Sequence, residues 1–317
     1  MAIPGYATPL ERAWAWAYRG ICVAIFVFLI APILIVMPLS FNAEPYFTFT
    51  EAMLSFDPAG YSWRWYDELL TLGMNAPEGP RNGSWWAQAW ADATWIQAAK
   101  NSLWIGLWAT ILATGLGTLA ALGLSRPEMP CRRLIMALLI SPMIVPIIII
   151  ATGLFFFYSN PCAPLAIVGV TAQCGRLTST YLGVIMAHAT LGIPFVIITV
   201  TATLSGFDQS LIRASASLGA SPRVTFFKVI LPLILPGVIS GGLFAFVTSF
   251  DEVVAVLFIA GPEQQTIPRQ MWNGIREAIS PAILAVATIL VLVSIAMLAT
   301  VELLRRRSER LRGVTPR

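Results

Sequence analysis

Residues 213–232 read Arg213-Ala-Ser-Ala-Ser-Leu-Gly219-Ala-Ser-Pro-Arg-Val-Thr-Phe-Phe-Lys-Val229-Ile-Leu231-Pro232, a polar, basic segment between apolar stretches at 181–204 and 233–260. Its local pattern is that of two short helices meeting at a glycine. Asp208 is placed to cap a helix whose apolar side uses Leu211, Ala214, Ser215 and Leu218 at helical spacing. Gly219 can take the left-handed conformation that closes such a helix. Ser221-Pro222 then reads as N-cap followed by N1, restarting a second helix that runs into the next apolar stretch. The product is a compact knob that fits a groove on a partner; the plainer reading is an ordinary helix–turn–helix between two spans.

The rest of the chain has the composition of a membrane protein. Apolar residues make up 57% and charged residues 11%, with a mean hydropathy of +0.76; soluble domains carry about a quarter charged residues. Helices of about twenty apolar residues use up the length, and candidates fall near 20–41, 99–124, 134–158, 181–204, 233–260 and 281–304. The expected fold is therefore an all-α, six-helix transmembrane bundle forming one domain over 1–317. The first candidate is longer than a signal-peptide core, and no small-x-small cleavage site follows at Phe41-Asn42-Ala43, so it is expected to stay as an anchor.

The basic residues set an orientation. With the N-terminus inside, the cytoplasmic side receives Arg12, Arg19, Arg126, Arg132, Arg133, Arg213, Arg223, Lys228, Arg305, Arg306, Arg307, Arg310, Arg312 and Arg317. The outer side keeps Arg64, Arg81, Lys100, Arg176, Arg269 and Arg276, a split of 14 to 6 among the 20. Both termini are thus expected in the cytoplasm, with the tail 305–317 meeting anionic lipid headgroups. The basic balance is positive-inside anchoring, and no segment resembles a nucleic-acid module.

Several chemistries are excluded. The two lysines lie in Ala-Lys100-Asn and Phe-Lys228-Val, so neither belongs to a Gly-Lys-[Ser/Thr] phosphate loop and the chain is not an ATPase. There is no Gly-x-Ser-x-Gly, no His-Glu-x-x-His and no Cys/His metal spacing, which leaves no cofactor or metal site to assign. The single histidine, His188, reads as a packed or pore-facing neutral side chain. Cys22 and Cys131 read as free thiols, whereas Cys162 and Cys174 share an expected outer loop where a disulfide is permitted. An intramembrane enzyme and a passive channel are the weaker function classes: one lacks a catalytic cluster, and the other has no use for a docking knob.

The outer segment 43–98 is too long for a structureless loop and carries Trp63, Trp65, Trp85, Trp86, Trp90 and Trp95, so short helices are expected near 61–72 and 84–97. It reads as an interfacial tryptophan belt, as a docking surface for an extracytoplasmic partner, or as both. Within the fifth candidate span, Asp251 and Glu252 are the acidic residues well inside the apolar run. If that helix ends near Ala260-Gly-Pro262, they lie about 15 Å below its end. A carboxylate at mid-membrane costs about 3 kcal/mol, so it must face a cavity or a partner. One of the pair, with Thr248 a turn away, is a candidate for the solute path; the competing reading is an interhelical bond that fixes the bundle.

The loop at 205–232 resembles the EAA loop of ABC importer permeases, whose pattern is Glu-Ala-Ala, three residues, Gly, nine residues, then Ile-x-Leu-Pro. Ala214, Gly219, Leu231 and Pro232 match, Val229 replaces Ile, Ser215 replaces the second Ala, and Arg213 stands where the family has Glu. Further on, Ser249-Phe-Asp-Glu-Val-Val254, Ala260-Gly-Pro-Glu263, Thr266-Ile-Pro-Arg-Gln-Met-Trp272 and Ile279-Ser-Pro281 resemble the shorter, C-type permease of the spermidine/putrescine group. The resemblance implies a type I importer with two permeases, expected as a heterodimer, two cytoplasmic ATPases and an extracytoplasmic solute-binding protein. It implies a small amine-bearing cargo such as spermidine or putrescine, with an opine, amino acid or aminophosphonate as the alternative. Arg213, Ala214, Ser215, Leu218, Gly219, Val229, Leu231 and Pro232 are then the residues at the ATPase contact.

Overall fold

A computed structural model describes residues 8–126, 128–162, 175–208, 210–277 and 280–311. The helices in chain order are α1 (Pro9–Leu39), α2 (Glu51–Leu54), α3 (Arg64–Thr71), α4 (Gly83–Asp92), α5 (Thr94–Leu124), α6 (Arg132–Ile144) and α7 (Ile147–Ser159). They continue as α8 (Tyr181–Ser205), α9 (Ser210–Ser217), α10 (Pro222–Thr225), a π-helical turn (Phe226–Ile230), α11 (Leu231–Asp251), α12 (Val254–Ile259), α13 (Ile267–Glu277) and α14 (Ala282–Leu311). Five of these segments are long and apolar enough to cross a membrane, and α6 with α7, bent by 104°, brings the number to six when counted as one span. The chain divides into two compact units, one of residues 1–72 and 274–297 and the other of 73–273 and 298–317.

Several boundaries differ from those read in the sequence, each for a local reason. The first helix begins at Pro9 rather than near 20. Thr8 Oγ1 accepts from the Glu11 N–H at 3.3 Å while the Thr8 N–H donates to Glu11 Oε2 at 2.7 Å, a capping box well before the apolar run. The third span is not continuous: Val145 is extended at φ −71° and ψ 136°, because the residue before a proline is pushed out of the α region, and Pro146 then caps α7. The fifth span is also interrupted, since α11 stops at Asp251 and Glu252 is extended at φ −75° and ψ 122°. The helices expected at 61–72 and 84–97 are found as α3 and α4, with residues 94–97 belonging instead to the start of α5.

In the first unit the chain after α1 folds back on itself around Asn42. Its Nδ2 donates to the Tyr46 and Thr48 carbonyls at 3.0 and 2.9 Å, and its own carbonyl accepts from Trp65 Nε1 at 2.7 Å. Phe41, Trp63 and Tyr66 cluster beside it, with ring centroids 4.9–5.4 Å apart. Burial holds the Glu68 carboxyl above its ordinary range despite the nearby Arg64 guanidinium.

The second unit is built on α5, α8 and α11. Their shared core is small and β-branched, with Ala109, Ala113, Ala189, Val196, Val200, Ile234 and Ala245 all buried. Small residues let the backbones approach closely. A Cβ at Gly241 would lie 2.8 Å from the Val196 Cα and strike Thr199 Oγ1, and one at Gly237 would strike Thr203 Oγ1. A second cluster, including Ile105, Tyr158, Val184, Leu191, Val256 and Ile259, seats α12 against α7 and α8. Cys162 is disulfide-bonded and Cys22 and Cys131 are free; Cys174, its partner in the sequence reading, lies outside the described residues.

Candidate functional site

Two places carry the residues singled out in the sequence, and both belong to the second unit. The first is the knob between α8 and α11. Asp208 accepts from the Ser210 hydroxyl at 2.6 Å and from the Ser210 N–H at 2.8 Å. Those bonds, the hydroxyl's first, hold the Asp208 carboxyl below the usual carboxylate range. The chain leaves α9 through Gly219 at φ +75°, the left-handed geometry a helix stop requires. Ser221 Oγ then faces the Val224 N–H at 3.5 Å and Pro222 takes the first position of α10.

The expected apolar side of α9 is not turned inward. Ser215 is the buried residue of that set, whereas Leu211 and Ala214 are exposed and Leu218 is 87% exposed. The reason is that α9 rests on α10 through a polar link: Ser215 Oγ donates to the Ile212 carbonyl at 2.8 Å and lies 2.9 Å from Thr225 Oγ1. Arg213 is exposed on α9, Val229 and Leu231 are half-buried, and Pro232 is exposed at the start of α11. The knob therefore presents a surface of Leu211, Arg213, Ala214 and Leu218 around its glycine, the kind of apolar, lightly charged patch that another protein can cover.

The second place is the end of α11. Asp251 is exposed, Thr248 is half-buried and Glu252 is buried at 8% exposure. Glu252 Oε1 accepts from the Ala255 N–H at 2.8 Å, so this carboxylate caps α12. An unbroken helix to Ala260 would place both acids about 15 Å below its end; the break at Glu252 instead puts them at the end of α11 itself. Asp251 thus stands where the carbonyl end of a half-helix meets a gap in the span.

Sequence reasoning did not reach the contacts that hold this end in place. His188, 1% exposed, has Nδ1 2.7 Å from Ser249 Oγ, two residues before Asp251. The segment after α12 is clasped as well. Asn101 Nδ2 donates to the Glu263 and Gln265 carbonyls at 2.8 and 2.9 Å, and Arg269 Nη1 to the Ala260 and Gly261 carbonyls at 3.0 Å each. Ser102 Oγ accepts from the Ile267 N–H at 2.8 Å. Apart from the Arg269 clasp, which closes over eight and nine residues, these partners lie 61 to 165 residues apart, so spacing carries no signal for them.

The family described as "Binding-protein-dependent transport system inner membrane component" matches residues 113–310, a stretch holding both the knob and the end of α11. The chain belongs to this family. As an inner membrane transport component it has curated relatives of closely similar length. The spermidine/putrescine transport system permease protein PotC of Haemophilus influenzae is 29% identical over 284 residues, covering 90% of this chain and 94% of that one. The putrescine transport system permease protein PotI of Escherichia coli is 30% identical over 266 residues, covering 84% and 82%. Among solved structures, a bacterial alginate ABC transporter in complex with an alginate pentasaccharide-bound periplasmic protein aligns at a TM-score of 0.64 over 97% of this permease and 98% of that chain. At 14% identity that likeness speaks to fold alone, and it is the fold of an ABC importer permease.

Proposed function

We propose that this permease is one of two membrane subunits of an ATP-driven importer for small polyamine-like cations, with both termini in the cytoplasm. The observation that carries the cargo is Asp251, an exposed carboxylate ending α11 inside the apolar part of the chain. A helix C-terminus carries partial negative charge, and an ionised side chain there adds a full one, so the position favours an ammonium over a neutral or anionic group. PotC and PotI, named for spermidine and putrescine, support the same chemistry. Thr248, half-buried one turn back, supplies a hydroxyl beside the path.

Work enters at the other end. The knob, with Arg213, Ala214, Leu218 and Gly219 exposed, docks on a cytoplasmic ATPase dimer, while a second, different permease and an extracytoplasmic binding protein complete the assembly. ATP binding closes the ATPases and biases the permeases outward to receive solute; hydrolysis returns them. At Arg213 the charge is opposite to that of the family pattern, so its counterpart on the ATPase is acidic.

Uptake by the assembled transporter in proteoliposomes tests the proposal. Spermidine or putrescine should enter with ATP and compete with each other, while neutral amino acids should not compete. Uptake independent of ATP would overturn the importer reading; ATP hydrolysis indifferent to polyamine-loaded binding protein would overturn the cargo.

A further inference from the structure

The knob and the span it drives are joined by something other than an α-helix. Residues Phe226–Ile230 form a π-helical turn, and the Leu231 N–H bonds to the Phe226 carbonyl, five residues back. Pro232 explains it. Proline has no N–H to give the carbonyl of Lys228, four residues earlier, and its ring crowds that carbonyl. Widening the preceding turn by one residue relieves the conflict, and π turns of this kind concentrate at functional sites.

What lies on either side of the turn is held by close contacts. Below it, α9 and α10 are tied by the Ser215–Thr225 hydroxyl contact at 2.9 Å. Above it, Gly237 and Gly241 of α11 sit against Thr203 and Thr199 of α8 with no room for a methyl group. Beside the turn is an open cavity of about 540 Å³, lined by Ile212, Ala216 and Phe226 on the knob side and by Leu122 and Leu204 of the facing helices with Arg126 just past the end of α5.

We propose that the π turn Phe226–Ile230, held open by Pro232, is a joint on which the knob rotates relative to α8 and α11, and that it closes into the cavity beside it when the ATPase partners close. Contraction of the π turn to an α turn removes one residue from the register, which rotates the knob by about 100° and shifts it by about 1.5 Å. Pro232 is on this account a positioning residue: it sets the angle at which the knob meets its partner. The inference rests on the ATPase docking proposed above.

The test is a distance measured in the whole transporter. Spin labels at Ser217→Cys on the knob, exposed on α9 and outside the docking residues, and Ser205→Cys at the end of α8, with Cys22 and Cys131 replaced by Ser, report knob rotation; a second pair across the ATPase dimer reports its closure. With a non-hydrolysable ATP analogue the 217–205 distance should change as the dimer closes. In Pro232→Ala, whose new N–H favours the α turn, that change should shrink by half or more and uptake should fall several-fold. Dimer closure with an unchanged 217–205 distance overturns the joint alone, as does an undiminished change in Pro232→Ala. Failure of the ATPase to bind at all overturns the docking and the joint together. Where Pro232→Ala does not assemble, the measurement without that substitution still decides.

Discussion

The hydroxyls of Ser215 and Thr225 lie 2.9 Å apart, buried between the two short helices of the knob. Each hydroxyl has one proton, and Ser215 donates its own to the Ile212 carbonyl at 2.8 Å, so Thr225 is the donor of the pair. Ser215 stands where the family pattern has alanine, and Thr225 is what makes the substitution tolerable.

Replacing Ser215 by Ala should therefore leave the Thr225 hydroxyl buried without its acceptor, at a cost of about 1–2 kcal/mol. Thr225→Val alone should cost about as much, and the double variant less than the sum, with a coupling of at least about 0.5 kcal/mol. Thermal unfolding of the four proteins in one detergent checks this. Strict additivity would show that the pair contributes nothing.

At Gly219 the constraint is the backbone angle, not space. The position sits at φ +75°, and a Cβ there meets nothing within 4 Å among the described residues. Gly219→Asn should retain ATPase coupling, because asparagine tolerates the left-handed region, while Gly219→Val should lose most of it. Binding of the ATPase and stimulated ATP hydrolysis are the readouts. Equal behaviour of the two variants would refute the backbone explanation.

Asp251 and Glu252 should separate cleanly. Asp251→Asn, at an exposed side chain, should leave stability within about 0.5 kcal/mol but raise KM for a polyamine cation. Glu252→Ala removes the cap on α12 and should cost about 1 kcal/mol of stability. Uptake titrations and thermal unfolding on both variants distinguish the roles. Unaltered uptake in Asp251→Asn would remove this residue from the path.

Topology can be read in intact cells. In a background with Cys22 and Cys131 replaced by Ser, Arg310→Cys should be shielded from an impermeant thiol reagent, and Glu78→Cys should label. Labelling of position 310 from outside would invert the orientation inferred from the basic residues.

Much of the knob was legible because its devices are local. A carboxylate two residues before a helix, a glycine at its end and a Ser-Pro restart act through backbone groups within three residues, so sequence alone exposes them. The spans were legible as apolar length. Their interruptions were legible only in part: Pro146 marks the first, because the residue before a proline is pushed out of the α region, whereas nothing local at Glu252-Val253 records that the helix stops there.

The sequence by itself determined the class of molecule and the position of the knob with the glycine that closes its first helix. Each follows from composition or from neighbours within a turn. Tertiary structure decided that Glu252 caps α12 while Asp251 stays exposed, because that depends on where α11 ends and how α12 seats on α7 and α8. It likewise decided that His188 meets Ser249 across 61 residues, and that α9 turns Ser215 inward rather than Leu218. Such contacts join side chains distant in sequence, and their pairing is set by close helix packing rather than by any local preference of the chain.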